Sequence, residues 1–126
     1  MKIRIKNNSI RLRLTRPEVE RFGREKYFEG RTDFGNAVFI YALRCGNDVT
    51  EICADLANNM ITMHIPLAIA EAFIADGDKV GYQHEQILDN GEKLFLLFEK
   101  DFKCIDAEVL EDQSDNFENP SAICKQ

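Results

Sequence analysis

Residues 7–22 read NNSIRLRLTRPEVERF and residues 58–73 read NNMITMHIPLAIAEAF. Asn7-Asn8 matches Asn58-Asn59. Ile10, Leu12 and Leu14 match Ile61, Met63 and Ile65, Glu20 matches Glu71, and Phe22 matches Phe73. Upstream of the first stretch lies MKIRIK, with Ile3 and Ile5 apolar; upstream of the second lies EICADLA. The apolar parity changes across each Asn pair, and a two-residue turn explains the change. Asn tolerates the positive φ that a tight type I′ turn requires. The first hairpin then pairs Lys6 with Ser9, Ile5 with Ile10, Arg4 with Arg11, Ile3 with Leu12 and Lys2 with Arg13. All its aliphatic side chains fall on one face and all five cations on the other. The second pairs Leu56 with Ile61, Ala54 with Met63 and Ile52 with Ile65, and its other face sets Asp55 beside Thr62 and Cys53 beside His64.

Thr15-Arg16-Pro17-Glu18 has the spacing of a capping box with Pro in a first helical turn. A short helix is expected there, with Val19 and Phe22 as its apolar stripe and Gly23 as its stop. Lys26–Phe34 and Ala37–Arg44 read as two strands joined around Gly35. KVGYQHEQIL and EKLFLLFEK read as two more, joined by Asp89-Asn90-Gly91. The order is hairpin, helix, hairpin, twice over, which is the mark of a duplication. The expected fold is α+β: a duplicated ββαββ unit, about eight antiparallel strands forming a curved sheet or barrel that removes exposed edges, with two helices. Residues 1–105 form a single domain with repeats 1–45 and 50–105. Residues 106–126 form an acidic arm, since DAEVLEDQSDNFENP carries six acids and no cation.

The length of 126 residues suits one core, and 44% hydrophobic with 30% charged residues is an ordinary globular composition. No apolar run approaches the roughly 18 residues of a membrane span, and no apolar segment follows the first cations as in a secretory signal. The four cysteines (Cys45, Cys53, Cys104, Cys124) form no CxxC pair. The expectation is a cytoplasmic chain with reduced thiols. The net charge of -6 argues against nucleic-acid binding. Charge is uneven, however. Residues 1–44 hold 11 Lys and Arg against 5 Asp and Glu, whereas residues 45–126 hold 5 against 17.

The two ends, MKIRIKNNSIRLRLTRPEV and LFEKDFKCIDAEVLEDQSDNFENP, resemble a family of short uncharacterised bacterial proteins, which implies a small bacterial protein and no particular activity. At the level of fold, a duplicated unit of one helix with several antiparallel strands is similar to the CYTH-like triphosphate tunnel enzymes. The resemblance implies a wide eight-stranded barrel lined by cations and acids. The Glu-x-Glu-x-Lys strand of that group is represented here by Lys2-Ile3-Arg4-Ile5-Lys6, without its two metal-binding glutamates.

No catalytic signature is complete. GxSxG is absent, and Ser9, Ser114 and Ser121 fall in turns or the tail. Cys53 opposite His64 offers two soft ligands where a zinc site needs about four, so neither metal nor cofactor is expected; His84 has no evident partner. The cations Lys2, Arg4, Lys6, Arg11 and Arg13 are the candidate anion-binding site. Arg4 faces Arg11 and Lys2 faces Arg13, a like-charge pairing that costs up to about 1 kcal/mol per pair unless something answers it. The candidates are Glu51, Asp55, Glu85, Glu99, Asp101 and the arm, above all Glu108, Glu111, Asp112 and Asp115, anchored by Val109, Leu110 and Phe117. The expected function is a non-enzymatic binding or interaction module that forms a homo-oligomer. The alternative is a protein that binds a small anionic ligand such as a phosphate, with phosphohydrolase action left open.

Overall fold

A computed structural model describes residues 1–102 of the chain. The arm from 106 to 126, with the placement expected for it beside the cations, lies outside the described residues. Eight strands and two helices follow the anticipated order: β1 (Lys2–Lys6), β2 (Ser9–Leu14), α1 (Arg16–Glu25), β3 (Tyr27–Asp33), β4 (Val38–Gly46), β5 (Cys53–Ala57), β6 (Met60–Pro66), α2 (Leu67–Ala75), β7 (Gly81–Ile87) and β8 (Lys93–Lys100). Both Asn turns form, and both hairpin registers are those read from the parity of the sequence. Asn58 and Asn59 both have positive φ (52° and 62°), as a type I′ turn requires, whereas in the first turn Asn7 does (50°) and Asn8 does not, so the first turn departs from the expected type.

Two expectations need correction. The strands form no closed barrel; they form two four-stranded sheets, ordered β1-β2-β8-β7 and β3-β4-β6-β5. Nor are they all antiparallel, because the central pairs β2–β8 and β4–β6 run parallel. The reason lies in the helices. After β2, α1 carries the chain out of the first sheet and β3 begins the second; after β6, α2 carries it back. Each sheet therefore joins a hairpin from one half of the chain to a hairpin from the other, and neither half owns a sheet.

The joints are equivalent. Ser9 lies beside Phe95 and Leu14 beside Lys100 in the first sheet, as Met60 lies beside Ile40 and Ile65 beside Cys45 in the second. The Phe95 N–H donates to the Asn8 carbonyl at 2.9 Å, and the Ile40 N–H to the Asn59 carbonyl at 3.1 Å. Cys45 donates to the Lys26 carbonyl at 3.2 Å, and Lys100 to the Val80 carbonyl at 2.8 Å.

The inner faces meet in one core. Leu12, Leu14, Leu43, Met63, Ile65, Leu96 and Phe98 are fully buried, with Phe22 from α1 and Phe73 from α2. The two helices touch at Gly23, where an added Cβ would stand 3.3 Å from two carbons of Ile74. Gly23 thus does not stop α1, as its sequence position suggested. It admits Ile74, its own counterpart in the second half, and the helix runs on to Glu25 with Lys26 as a left-handed cap at φ 61°. At the other end, Glu18 accepts the Thr15 N–H at 2.8 Å, completing that side of the capping box. Where β7 of the first sheet nears β5 of the second, the Gln86 amide stands in for a strand partner. It accepts from the Ala54 N–H at 2.7 Å and donates to the Ala54 carbonyl at 3.3 Å.

Candidate anion site on the outer face of the first sheet

The pairing sets three rows of side chains across the outer face of the first sheet. They are Lys2–Arg13–Glu99–Gly81, then Arg4–Arg11–Leu97–Gln83, then Lys6–Ser9–Phe95–Glu85. All five expected cations are on this face, brought together by the hairpin alone. They stand outside a packed core and line no lumen, so the tunnel arrangement implied by the CYTH-like resemblance is not formed.

Glu99 answers the arginines. Arg13 Nε donates to Glu99 Oε1 at 3.0 Å, the Arg13 Nη2 atom lies 3.0 Å from the same oxygen, and Arg11 Nε lies 3.5 Å from it. Glu99 is only 5% exposed, a depth at which a carboxylate needs charged donors. Its neighbour Gly81 makes the space: an added Cβ there would run into the Phe98 carbonyl and lie 2.7 Å from Glu99 Cβ. Lys2 Nζ pairs with Asp101 Oδ2 at 3.1 Å. Of the other acids considered, Glu85 pairs with Lys93 at 3.6 Å on the surface, and Glu51 and Asp55 turn to the histidines.

Beside the Glu99 cluster lies a shallow, open hollow of about 150 Å³. Arg4, Lys6 and Arg11 line it with Ser9, Phe95 and Leu97. The turn beside it is tied down: Ser9 Oγ donates to the Lys6 carbonyl at 2.6 Å and Asn8 Nδ2 to the Lys93 carbonyl at 3.0 Å. Sequence reasoning missed Phe95 and Leu97. The signal was the run Leu94-Phe95-Leu96-Leu97-Phe98, apolar at both parities, which marks a strand covered on both faces.

The second sheet repeats the frame with other chemistry. Its outer rows are Cys53–His64–Arg44–Tyr27, then Asp55–Thr62–Ala42–Glu29, then Ala57–Met60–Ile40–Arg31. Arg44 Nε donates to His64 Nδ1 at 3.0 Å, His64 Nε2 lies 2.8 Å from Asp55 Oδ2, and the Arg44 Nη2 atom reaches Asp48 at 2.9 Å. Because Arg can only donate, the His64 ring proton sits on Nε2, toward Asp55. Both ring nitrogens are occupied, so His64 is not placed to take a proton from Cys53. Burial, followed by the Asp55 charge, pushes the Cys53 thiol pKa up, the opposite of what a nucleophile needs. Burial also raises Cys45. Tyr27 donates to Glu29 Oε1 at 2.6 Å; burial and that bond push its hydroxyl up to about 12. His84, unpartnered in the sequence reading, faces Glu51 at 3.5 Å. Among the described residues no three His, Cys, Asp or Glu side chains gather as a metal site, and no helix is long and apolar enough to cross a membrane.

This first-sheet face, built by the two ends of the described chain, falls inside a matched region that runs from residue 1 to residue 121. The chain belongs to a family of unknown function, DUF7009. Neither a curated protein nor a solved structure matches it.

Proposed function

We propose that this member of the family is a binding module without chemistry of its own, and that it receives a carboxylate or phosphate group in the hollow of the first sheet. The observation that carries the reading is the convergence of Arg4, Lys6 and Arg11 with the Ser9 hydroxyl around one concavity. Guanidinium groups suit both anions through paired donors. Glu99, one row away, is shared by Arg13 and Arg11. The matching joints of the two sheets and the two Asn turns support descent of the chain from a duplicated ββαββ unit, with residues 106–126 as a separate acidic arm that lies near these cations.

Thermal melts of the full chain with inorganic phosphate, pyrophosphate and succinate test the reading. A ligand at a hundredfold excess over its Kd raises Tm by roughly 10 °C for a domain of this size. The rise should shrink in Lys6→Gln and Arg4→Gln. No rise beyond a chloride control of equal ionic strength ends the reading.

A homo-oligomer is the second reading. Ile5 and Leu56, at equivalent places on the two first hairpins, are 55% and 70% exposed. Sedimentation of the native chain beside Ile5→Ser/Leu56→Ser decides it: a monomer in both removes it.

A further inference from the structure

Ala54 and Ile3 hold equivalent places on β5 and β1, opposite Met63 and Leu12. Alternate residues of an antiparallel pair turn their N–H and carbonyl away from the partner strand, and in both hairpins this row faces the open edge of a sheet. On β5 the Gln86 amide answers Ala54, at 2.7 and 3.3 Å. The β3 equivalent of Gln86 is Thr32, which is exposed and has no amide to offer. On β1 the Tyr41 hydroxyl donates to the Met1 carbonyl at 3.0 Å, at one end of the edge. Farther along, among the described residues, nothing answers the edge-facing N–H and carbonyl groups of Ile3 and Ile5. The Ile5 side chain is also 55% exposed. An edge strand in this state is a template for one more strand.

The chain itself carries a segment that fits. After Phe102 it continues KCIDAEV, and from Ile105 to Val109 apolar and acidic residues alternate with the period of a strand. The route also fits. The Asp101 N–H donates to the Leu14 carbonyl at 2.7 Å, and the Asp101 carboxylate pairs with Lys2 at 3.1 Å. The chain therefore leaves β8 across the end of β2, toward β1 and away from β7. Two strand spacings of about 4.8 Å, covered at about 3.3 Å per residue, take it past β1 in about three residues, so Ile105 is the first to reach the edge.

We infer that residues 105–109 add to the β1 edge as a fifth strand of the first sheet, parallel to β1. Ile105, Ala107 and Val109 extend the inner face beyond Ile3 and Ile5. Asp106 and Glu108 fall on the outer face with Lys2 and Lys6, and their backbone groups meet those of Ile3 and Ile5. Nothing in this placement requires a ligand in the hollow.

Amide hydrogen exchange in the full chain, read by NMR, tests it. The Ile3 and Ile5 amides should be protected to within roughly tenfold of the Ala54 amide; exchange at the rate of an open chain overturns the inference. Glu108→Pro removes an N–H donor from the added strand and should speed both amides by roughly tenfold, the loss of about one hydrogen bond, while Ala54 stays unchanged. Glu108→Gln keeps the N–H and loses only the charge, so both amides should stay within about twofold of native. Equal acceleration in the two variants overturns strand addition, because charge alone would then hold the segment. In the native protein, cross-strand nuclear Overhauser contacts should join the Asp106 and Glu108 amides to the backbone of Ile3 and Ile5. In a mixture of isotope-labelled and unlabelled chains these contacts should stay within one chain. Contacts found only between chains would give the edge to a second copy and overturn the assignment.

Discussion

Glu99 and Arg44 hold equivalent places in the two sheets, each on a central strand beside the strand that enters a helix, and they carry opposite charge. Around Glu99 the outer face collects cations. Over its three rows it sets Lys2, Arg4, Lys6, Arg11 and Arg13 against Glu99 and Glu85. Around Arg44 the same three rows set Arg31 and Arg44 against Glu29 and Asp55, with His64 linking the second pair in a hydrogen-bonded chain. The inner faces are far more alike: Leu12 and Met63, Leu14 and Ile65, Phe22 and Phe73 fill corresponding places. One core tolerates one pattern of bulk, because interiors are close-packed. The outer faces are free of that constraint and diverge. The charge surplus of the first face is therefore a property of its own side chains, not of the frame.

The position that separates the faces most sharply is Gly81, whose equivalent is Tyr27. A full side chain is accepted at one and a single methyl group collides with backbone at the other. Gly81→Ala is expected to lower stability by about 3 kcal/mol, since backbone cannot yield as a side-chain tip can. Chemical denaturation measures it; a loss under about 1 kcal/mol would show that Glu99 does not need the close approach.

Next in size is the pair of central-strand charges. Glu99→Ala leaves Arg11 and Arg13 facing each other without their shared carboxylate, at an expected cost of about 2 kcal/mol. Arg44→Ala, on a side chain 31% exposed, should cost less than about 1 kcal/mol. Equal losses in the two denaturation curves would break the comparison, because they would mean that the second face depends on its charge chain as heavily as the first depends on Glu99.

The smallest effect is confined to alkaline pH. The Tyr27 hydroxyl is raised from 10.0 to about 12, so the folded state holds its proton longer than the unfolded chain does. The stability this supplies is complete below pH 10 and lost as pH climbs through 12. Tyr27→Phe should remove the latest step of the tyrosinate absorbance titration and flatten stability against pH in that window. An unchanged titration would show that the Tyr27 hydroxyl is not held up by its burial and its bond to Glu29.

Much of this was legible in the chain of letters, and for local reasons. A strand's period of two and the φ tolerance of Asn settle a hairpin and its register within a dozen residues, so the sorting of Lys2, Arg4, Lys6, Arg11 and Arg13 onto one face followed from the sequence alone. The capping pattern from Thr15 to Glu18 placed α1 for the same reason. Tertiary structure decided how hairpins join. β2 and β8 are adjacent in space and far apart in sequence, and no turn records that they run parallel. From that joint came Glu99 between the two arginines and Phe95 and Leu97 beside the cations; the β4–β6 joint set Arg44 against His64. Gly23 shows the same division, since its sequence position suggested a helix stop and only the crossing of α1 with α2 revealed it as the space for Ile74. Local chemistry fixes what each segment is; which segments share a face depends on how two interlocked halves bury one core.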